Sequence, residues 1–249
     1  GLLQQMEKRW LRSSLTPYEF PDLPSRGVDA PLLRVGIAAD REPICFLLEG
    51  RFAGLDCELI ERIAYELGMR VEYQNMKFGG LLTALQAAKV DLVIANMTHT
   101  AEREKKVDFT MDYFTNPQTL LTRKELHGND QSDWHLLSGK KIGVLTGSVF
   151  DQLQQTLLPD TIPEYYDSYP DMVLAVQSGK LAGLIVDDPS GRITVARHKG
   201  LRILKKPMAD TTYAFALPKQ STELCSKINS ILQEMKQDGT RKKLEETWF

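Results

Sequence analysis

Asp91-Leu92-Val93-Ile94-Ala95-Asn96-Met97-Thr98-His99-Thr100-Ala101-Glu102-Arg103 reads as a buried strand, a polar turn and the start of a helix. Leu92 to Ala95 is a short unbroken apolar run, the pattern of a strand covered on both faces. It stops at Asn96 and Thr98. Thr100 then suits a helix N-cap, because its side-chain oxygen can accept an amide of the first turn, and this places Arg103 within that turn. Other apolar runs end the same way. Leu33 to Ala38 runs into Asp40, Lys141 to Leu145 into Thr146, Gly147 and Ser148, and Leu181 to Val186 into Asp187 and Asp188.

Helical patterns separate these runs. Cys57 to Leu67 carries Leu59, Ile60, Ile63, Ala64 and Leu67 at helical spacing, and Gly68 stops it. Leu81 to Ala88 and Met172 to Gln177 are similar, the latter ended by Gly179. Pro189 suits the first helical position after an Asp188 N-cap. Ile228 to Met235 begins a last helical stretch, broken at Asp238-Gly239. Strands alternating with helices predict an α/β chain built on mostly parallel sheets.

Ligands of open parallel sheets bind outside the carboxyl ends of the strands. The residues gathered there are chemically complementary. Arg103 presents a planar fork that matches a carboxylate. Asp40 and Asp187 present acceptors suited to an ammonium group, with Asp187 expected at the surface of its strand end. Asn96, Thr98 and Ser148 add neutral hydrogen-bonding groups. Such a set fits a zwitterion. A cation in a first helical turn opposes the helix dipole, so helix stability does not explain Arg103. Its structural alternative is a surface ion pair with Glu102 or Glu104. Gly147-Ser148 precedes another helix, whose free amides favour an anion.

The bulk numbers remove several function classes. The net charge of −2 gives no basic excess for neutralising nucleic-acid phosphates. No apolar run approaches the ~18 residues of a membrane span. The four histidines, His99, His127, His135 and His198, lie far apart, and none has metal-ligand spacing. No cofactor or metal is expected. Cys45, Cys57 and Cys225 form no zinc or disulfide framework. Three buried thiols, and one bridge between Cys45 and Cys57, are both compatible with the sequence.

The first thirty or so residues stand apart. Leu2 to Arg12 suits one amphipathic helix with Leu3, Met6 and Trp10 on a face, and Pro17, Pro21, Pro24 and Pro31 then forbid regular structure. Without a start methionine or signal peptide, the chain is expected to be part of a longer secreted or membrane-anchored precursor. Leu3 to Leu11 resembles the tail Lys242 to Phe249, with its Leu244 and Trp248. The end of a preceding tandem copy and chance similarity both account for this.

Longer stretches carry a family resemblance. They are Leu33-Arg34-Val35-Gly36-Ile37, Gly54-Leu55-Asp56-Cys57-Glu58-Leu59, Leu82 to Asp91, Thr98 to Arg103, Val107-Asp108-Phe109-Thr110, Leu137 to Val144 and Met235 to Thr240. In this order, over about Leu33 to Phe249, they resemble the family 3 bacterial extracellular solute-binding proteins, amino-acid receptors of ABC importers. The resemblance implies a two-lobed periplasmic-binding-protein type II fold, each lobe a central mostly parallel sheet flanked by helices. Lobe 1 would comprise about residues 30–115 plus 213–249 and lobe 2 about 116–212, after an N-terminal helix and linker over about 1–29. By matching position Arg103 would grip the ligand α-carboxylate and Asp187 the α-ammonium. Asn96 and Thr98 would bond both, Ser148 and Val149 would offer backbone amides, and Asp40 and Phe52 would line the side-chain pocket. Asp40 favours a cationic or polar ligand side chain, whereas Leu145 and Val186 favour an apolar one. Two departures bear on ligand choice. Pro43 stands where an aromatic often follows the first strand, leaving Phe46 or Phe52 to cover the ligand. Val149 stands where the family often has Thr or Ser.

The resemblance implies a protein outside the cytoplasm that closes its lobes around a free amino acid and delivers it to a membrane permease, with no chemistry of its own. Two alternatives share the fold. One is the ligand-sensing domain of a membrane receptor such as a sensor kinase, whose partner would be its own membrane-anchored portion. The other is an enzyme resembling cyclohexadienyl dehydratase, which would need Asp40 or Asp187 as a general acid. No Ser-His-Asp order, H-E-x-x-H motif or phosphate loop points to other chemistry.

Overall fold

The computed structural model describes residues 26–126, 134–203 and 207–249. The expected helix over Leu2 to Arg12 and most of the linker after it lie outside them. In chain order the strands and helices are β1 Leu32–Ile37, β2 Asp40–Arg41, β3 Cys45–Leu48, β4 Arg51–Ala53, α1 Leu55–Glu66, β5 Arg70–Asn75, α2 Leu81–Gln86, β6 Leu92–Val93, α3 Ala101–Glu104, β7 Asp108–Phe109 and β8 Phe114–Arg123. There follow β9 Lys141–Leu145, α4 Phe150–Leu157, β10 Ile162–Tyr166, α5 Tyr169–Gln177, β11 Gly183–Asp187, α6 Asp188–Arg197 and β12 Leu201–Ile203. β13 Ala209–Tyr213, β14 Ala216–Leu217, α7 Thr222–Gln237 and α8 Thr240–Trp248 complete the chain. Two compact units divide these elements. Of the described residues, the first holds those up to Met76, Gly80–Phe114 and Thr212–Phe249, and the second Lys77–Gly79 and those within Thr115–Thr211.

In the first unit the sheet order is β5-β1-β6-β14-β7. β1 is parallel to both neighbours, with Val35 opposite Leu92 in β6, and β14 runs antiparallel to β6 and β7. Helix α1 packs Leu59, Ile60 and Ile63 onto the apolar face of β1 as one core cluster with Leu33, Val35 and Ile37. Asp56 and Glu58 in its first turn complement the helix dipole. At its end Gly68, at φ 73°, permits a Schellman turn: Met69 N–H reaches the Ala64 carbonyl at 2.8 Å and Gly68 N–H that of Tyr65 at 3.0 Å. The last helix closes the same core. Buried Trp248 donates from Nε1 to Glu58 Oε2 at 2.9 Å, and Arg62 binds the other oxygen of that carboxylate at 2.7 Å. A small antiparallel sheet, β2-β3-β4, accompanies α1.

The second unit carries the order β10-β9-β11-β8-β12. β9 is parallel to β10 and β11, and β8 is antiparallel to β11. Ser168 N-caps α5 with Pro170 in its first turn, which sets the helix start one turn earlier than the apolar spacing indicates. The architecture is α/β with helices against the sheets, as expected, but the pairing is mixed. β1 with β5 and β6, and β9 with β10 and β11, are parallel, whereas β14 and β8 pair antiparallel with their neighbours, because the chain returns to each sheet along its far side.

Several element limits differ from the sequence reading. The strand expected over Asp91 to Ala95 contracts to Leu92–Val93, because β14 supplies a pair only at Val93, although Ile94 N–H still bonds the Gly36 carbonyl at 3.1 Å. The strand expected from Leu181 begins at Gly183 and extends through Asp187, since its register runs from Gly183 opposite Thr122 to Asp187 opposite Gln118. The N-cap of α6 is therefore Asp187, not Asp188, and Pro189 falls one place inside.

Gly54 is the tightest joint of the first unit. Its φ is 117°, and a Cβ there would lie 2.3 Å from the Ile44 carbonyl oxygen. Leu55 and Asp56 amides bond the carbonyls of Pro43 and Ile44 at 3.1 and 2.9 Å, which pulls the two backbones together. Gly54→Ala is expected to cost ~2–4 kcal/mol in urea unfolding, from positive φ and overpacking against backbone. A midpoint equal to wild type would show that this contact relaxes freely.

Candidate functional site

Parallel neighbours β1 and β6 bring their carboxyl ends together in the first unit, and Asp40 and Asn96 to Thr98 follow those ends. The register makes this placement, since the two loops are far apart in sequence. Asn96 is buried and sits at φ 52°, a left-handed conformation open to asparagine at modest cost. Its amide donates to Asp56 Oδ2 at 3.1 Å. Asp56 Oδ1 accepts from Tyr113 Oη at 2.7 Å. Burial and the Asp56 charge push the Tyr113 hydroxyl well above its usual range, so it stays a donor. Thr98 is pinned by an antiparallel bridge to Tyr213, with Ala214 N–H on the Met97 carbonyl at 3.1 Å.

Thr100 N-caps α3 as expected, its oxygen accepting from Arg103 N at 3.3 Å. Arg103 folds back from that turn, and Nη1 donates to the Thr98 carbonyl at 2.6 Å. The guanidinium is thereby aimed by the loop it follows. Burial lowers its pKa to about 10, partly opposed by the charge of Glu102. It remains a cation at neutral pH. Glu104 pairs instead with His99 Nε2 at 2.6 Å.

Asp40 and Phe52 are not brought together. Cross-strand register sets Asp40 beside Phe46 and Ala53, whereas Phe52 stands beside Leu47, and these positions alternate between the faces of the small sheet. The Asp40 carboxylate meets Arg41 Nε at 3.5 Å. Phe52 packs edge-on against Tyr73, ring centres 5.2 Å apart.

In the second unit β9 and β11 are parallel neighbours, and Thr146 to Ser148 and Asp187 stand at their carboxyl ends. Ser148 is largely committed locally. Its Oγ donates to the Leu145 carbonyl at 2.7 Å and accepts from Phe150 N at 3.2 Å, and its own amide bonds the same carbonyl at 3.1 Å. Val149 is the N-cap of α4. Asp187 is only 1% exposed, which corrects its expected place at the surface. Gln118, opposite it in β8, donates from Nε2 to Asp187 Oδ1 at 3.1 Å and to Thr211 Oγ1 at 2.7 Å. Leu145 and Val186 are core residues, each 1% exposed.

Two positioning residues escaped the sequence reading. Asp56 left a signal, for it shares the helical stripe of Leu59, Ile60 and Ile63, and an acid on a buried face needs partners. Gln118 left none, because its partner Asp187 is remote in sequence. Among the described residues no cluster of three or more His, Cys, Asp or Glu side chains is placed to hold a metal ion, and no helix is long and apolar enough to cross a membrane.

These features define a solute-binding protein: two α/β units with polar groups at the carboxyl ends of adjacent parallel strands. The profile of the bacterial extracellular solute-binding proteins, family 3, matches residues 33–249, and the chain belongs to this family. Among curated relatives, the arginine-binding extracellular protein ArtP of Bacillus subtilis is 29% identical over 87% of this chain and 86% of its own length. The L-arginine-binding protein of Pseudomonas aeruginosa is 28% identical over 91% of each. The structure of an ancestral arginine-binding protein bound to arginine superposes with a TM-score of 0.82 at 35% identity, covering 88% of this chain and 98% of that one.

The Asp56 tie is open to direct test. Asp56→Asn places an amide nitrogen against either the Asn96 N–H or the Tyr113 hydroxyl, and is expected to cost ~1–3 kcal/mol in urea unfolding. An unchanged midpoint would remove Asp56 as the support of the Asn96 turn.

Proposed function

We propose that the chain binds a free amino acid with a cationic or polar side chain and delivers it, unaltered, to the membrane permease of an ABC importer. The observation that carries this reading is Arg103, a partly buried cation aimed by the Thr98 carbonyl beside Asn96 and Thr98. In this reading Arg103 takes the α-carboxylate and Asp187 the α-ammonium. Asn96 and Thr98 add hydrogen bonds, the Val149 amide assists the carboxylate, and Asp40 faces the side chain. Closure of the two units around the ligand belongs to the same proposal. The burial of Leu145 and Val186 removes the sequence argument for an apolar ligand, and the arginine-binding relatives favour a cationic one.

A thermal-shift screen of the twenty amino acids identifies the ligand, since binding to the native state alone raises the melting temperature. Calorimetry with that ligand then tests the site. Arg103→Ala is expected to lose ~2–5 kcal/mol, roughly thirty-fold to a few thousand-fold in affinity, because the ligand carboxylate is left unpaired away from water. Arg103→Lys recovers part of the loss, as an ammonium lacks the planar fork. Equal affinities for wild type and both variants, with unchanged melting of the free proteins, would refute the carboxylate site.

A further inference from the structure

Cys45 in β3 and Cys57 in α1 meet inside the first unit, their sulfurs 3.5 Å apart and unbonded. Both residues are 2% exposed and lie in the apolar core with Ile44, Phe46, Leu55 and Leu59. We propose that they are the site of an intramolecular disulfide, formed as the chain folds in an oxidising compartment and linking the small β2-β3-β4 sheet to α1. The inference is independent of which ligand the protein binds.

Geometry supports it in two ways. A disulfide has sulfurs about 2.05 Å apart, so about 1.5 Å remains to close, which side-chain rotation supplies. The backbones are already fastened on the near side of both cysteines. The amides of Leu55 and Asp56 bond the carbonyls of Pro43 and Ile44, and the absence of a side chain at Gly54 allows that approach. The facing sulfurs and the fastened backbones together meet the condition that most arbitrary cysteine pairs fail, which is side chains already directed at each other. A metal is not the reason for the pairing, because among the described residues no third His, Cys, Asp or Glu joins them in a ligand cluster. Cys225 stands elsewhere, its sulfur donating to the Phe109 carbonyl at 3.4 Å.

The chemistry balances with a disulfide oxidant such as oxidised glutathione. One cysteine, as thiolate, attacks the oxidant's disulfide, forming a mixed disulfide and releasing one glutathione thiolate. The second cysteine attacks the protein sulfur of that intermediate and expels the other. Two protein thiols lose two electrons and two protons, and one glutathione disulfide becomes two thiols. Both thiols are shut away from an oxidant in the folded chain, so exchange belongs to folding, before the core closes; the hydrogen bond to Cys57 and burial also push the Cys45 thiol well above its ordinary range. The bridge would tether the strand pair that carries Asp40, since β3 pairs with β2.

The test refolds the full chain in oxidised glutathione, alkylates it in denaturant without reduction, and maps the tryptic peptides by mass. The expected product joins peptide Glu42–Arg51 to peptide Phe52–Arg62, lighter by two hydrogen atoms than the separate pair, with Cys225 alkylated in Gln220–Lys227. Reduction should then lower the melting temperature, on the order of 5–10 °C for a short loop in a chain of this size. Alkylation of both Cys45 and Cys57, or a bridge through Cys225, would overturn the proposal. The wild-type chain carries the whole test.

Discussion

The Asp56 carboxylate, sealed from water, holds together three parts of the first unit that the sequence keeps apart. It lies in the first turn of α1, accepts the Tyr113 hydroxyl, and accepts the amide of Asn96 at the carboxyl end of β6. A buried charge is tolerated only when its oxygens are satisfied, so each partner is constrained by the cost of losing it. The left-handed turn at Asn96 depends on that tie, and the loop running to Thr98 and Arg103 starts from that turn. The polar end of β6 is thus supported from beneath by a residue that need not meet a ligand.

The two charged groups that the proposed reading gives to a zwitterion are held in opposite ways. Arg103 is partly exposed, and the Thr98 carbonyl of the loop it follows directs its guanidinium. Asp187 is almost fully buried and positioned from the neighbouring strand by Gln118. A cation on a long side chain is aimed by a turn, and a short carboxylate by the sheet itself.

The small β2-β3-β4 sheet connects site and core. Its strands flank Gly54, where backbone touches backbone, and its apolar side chains join the cluster closed by Trp248 and its bond to Glu58. The C-terminal helix therefore helps fix the start of α1, and with it Asp56.

The sequence by itself determined the class of fold and the polar residues at the strand ends. Lys141–Leu145 has the same limits in sequence and structure, Thr100 caps α3, and Gly68 ends α1, because these features depend on local spacing, local capping oxygens and local backbone freedom. The tertiary structure decided what depends on register and burial. It shortened the strand at Leu92–Val93, moved the α6 cap to Asp187, set Asp40 and Phe52 on alternate faces, and revealed Gln118 beneath Asp187. It also brought Cys45 and Cys57 to 3.5 Å, which their spacing in the chain left open. A strand's apolar run shows that it is buried, but only its partner strand fixes which side chains meet, and that partner is chosen by packing far along the chain.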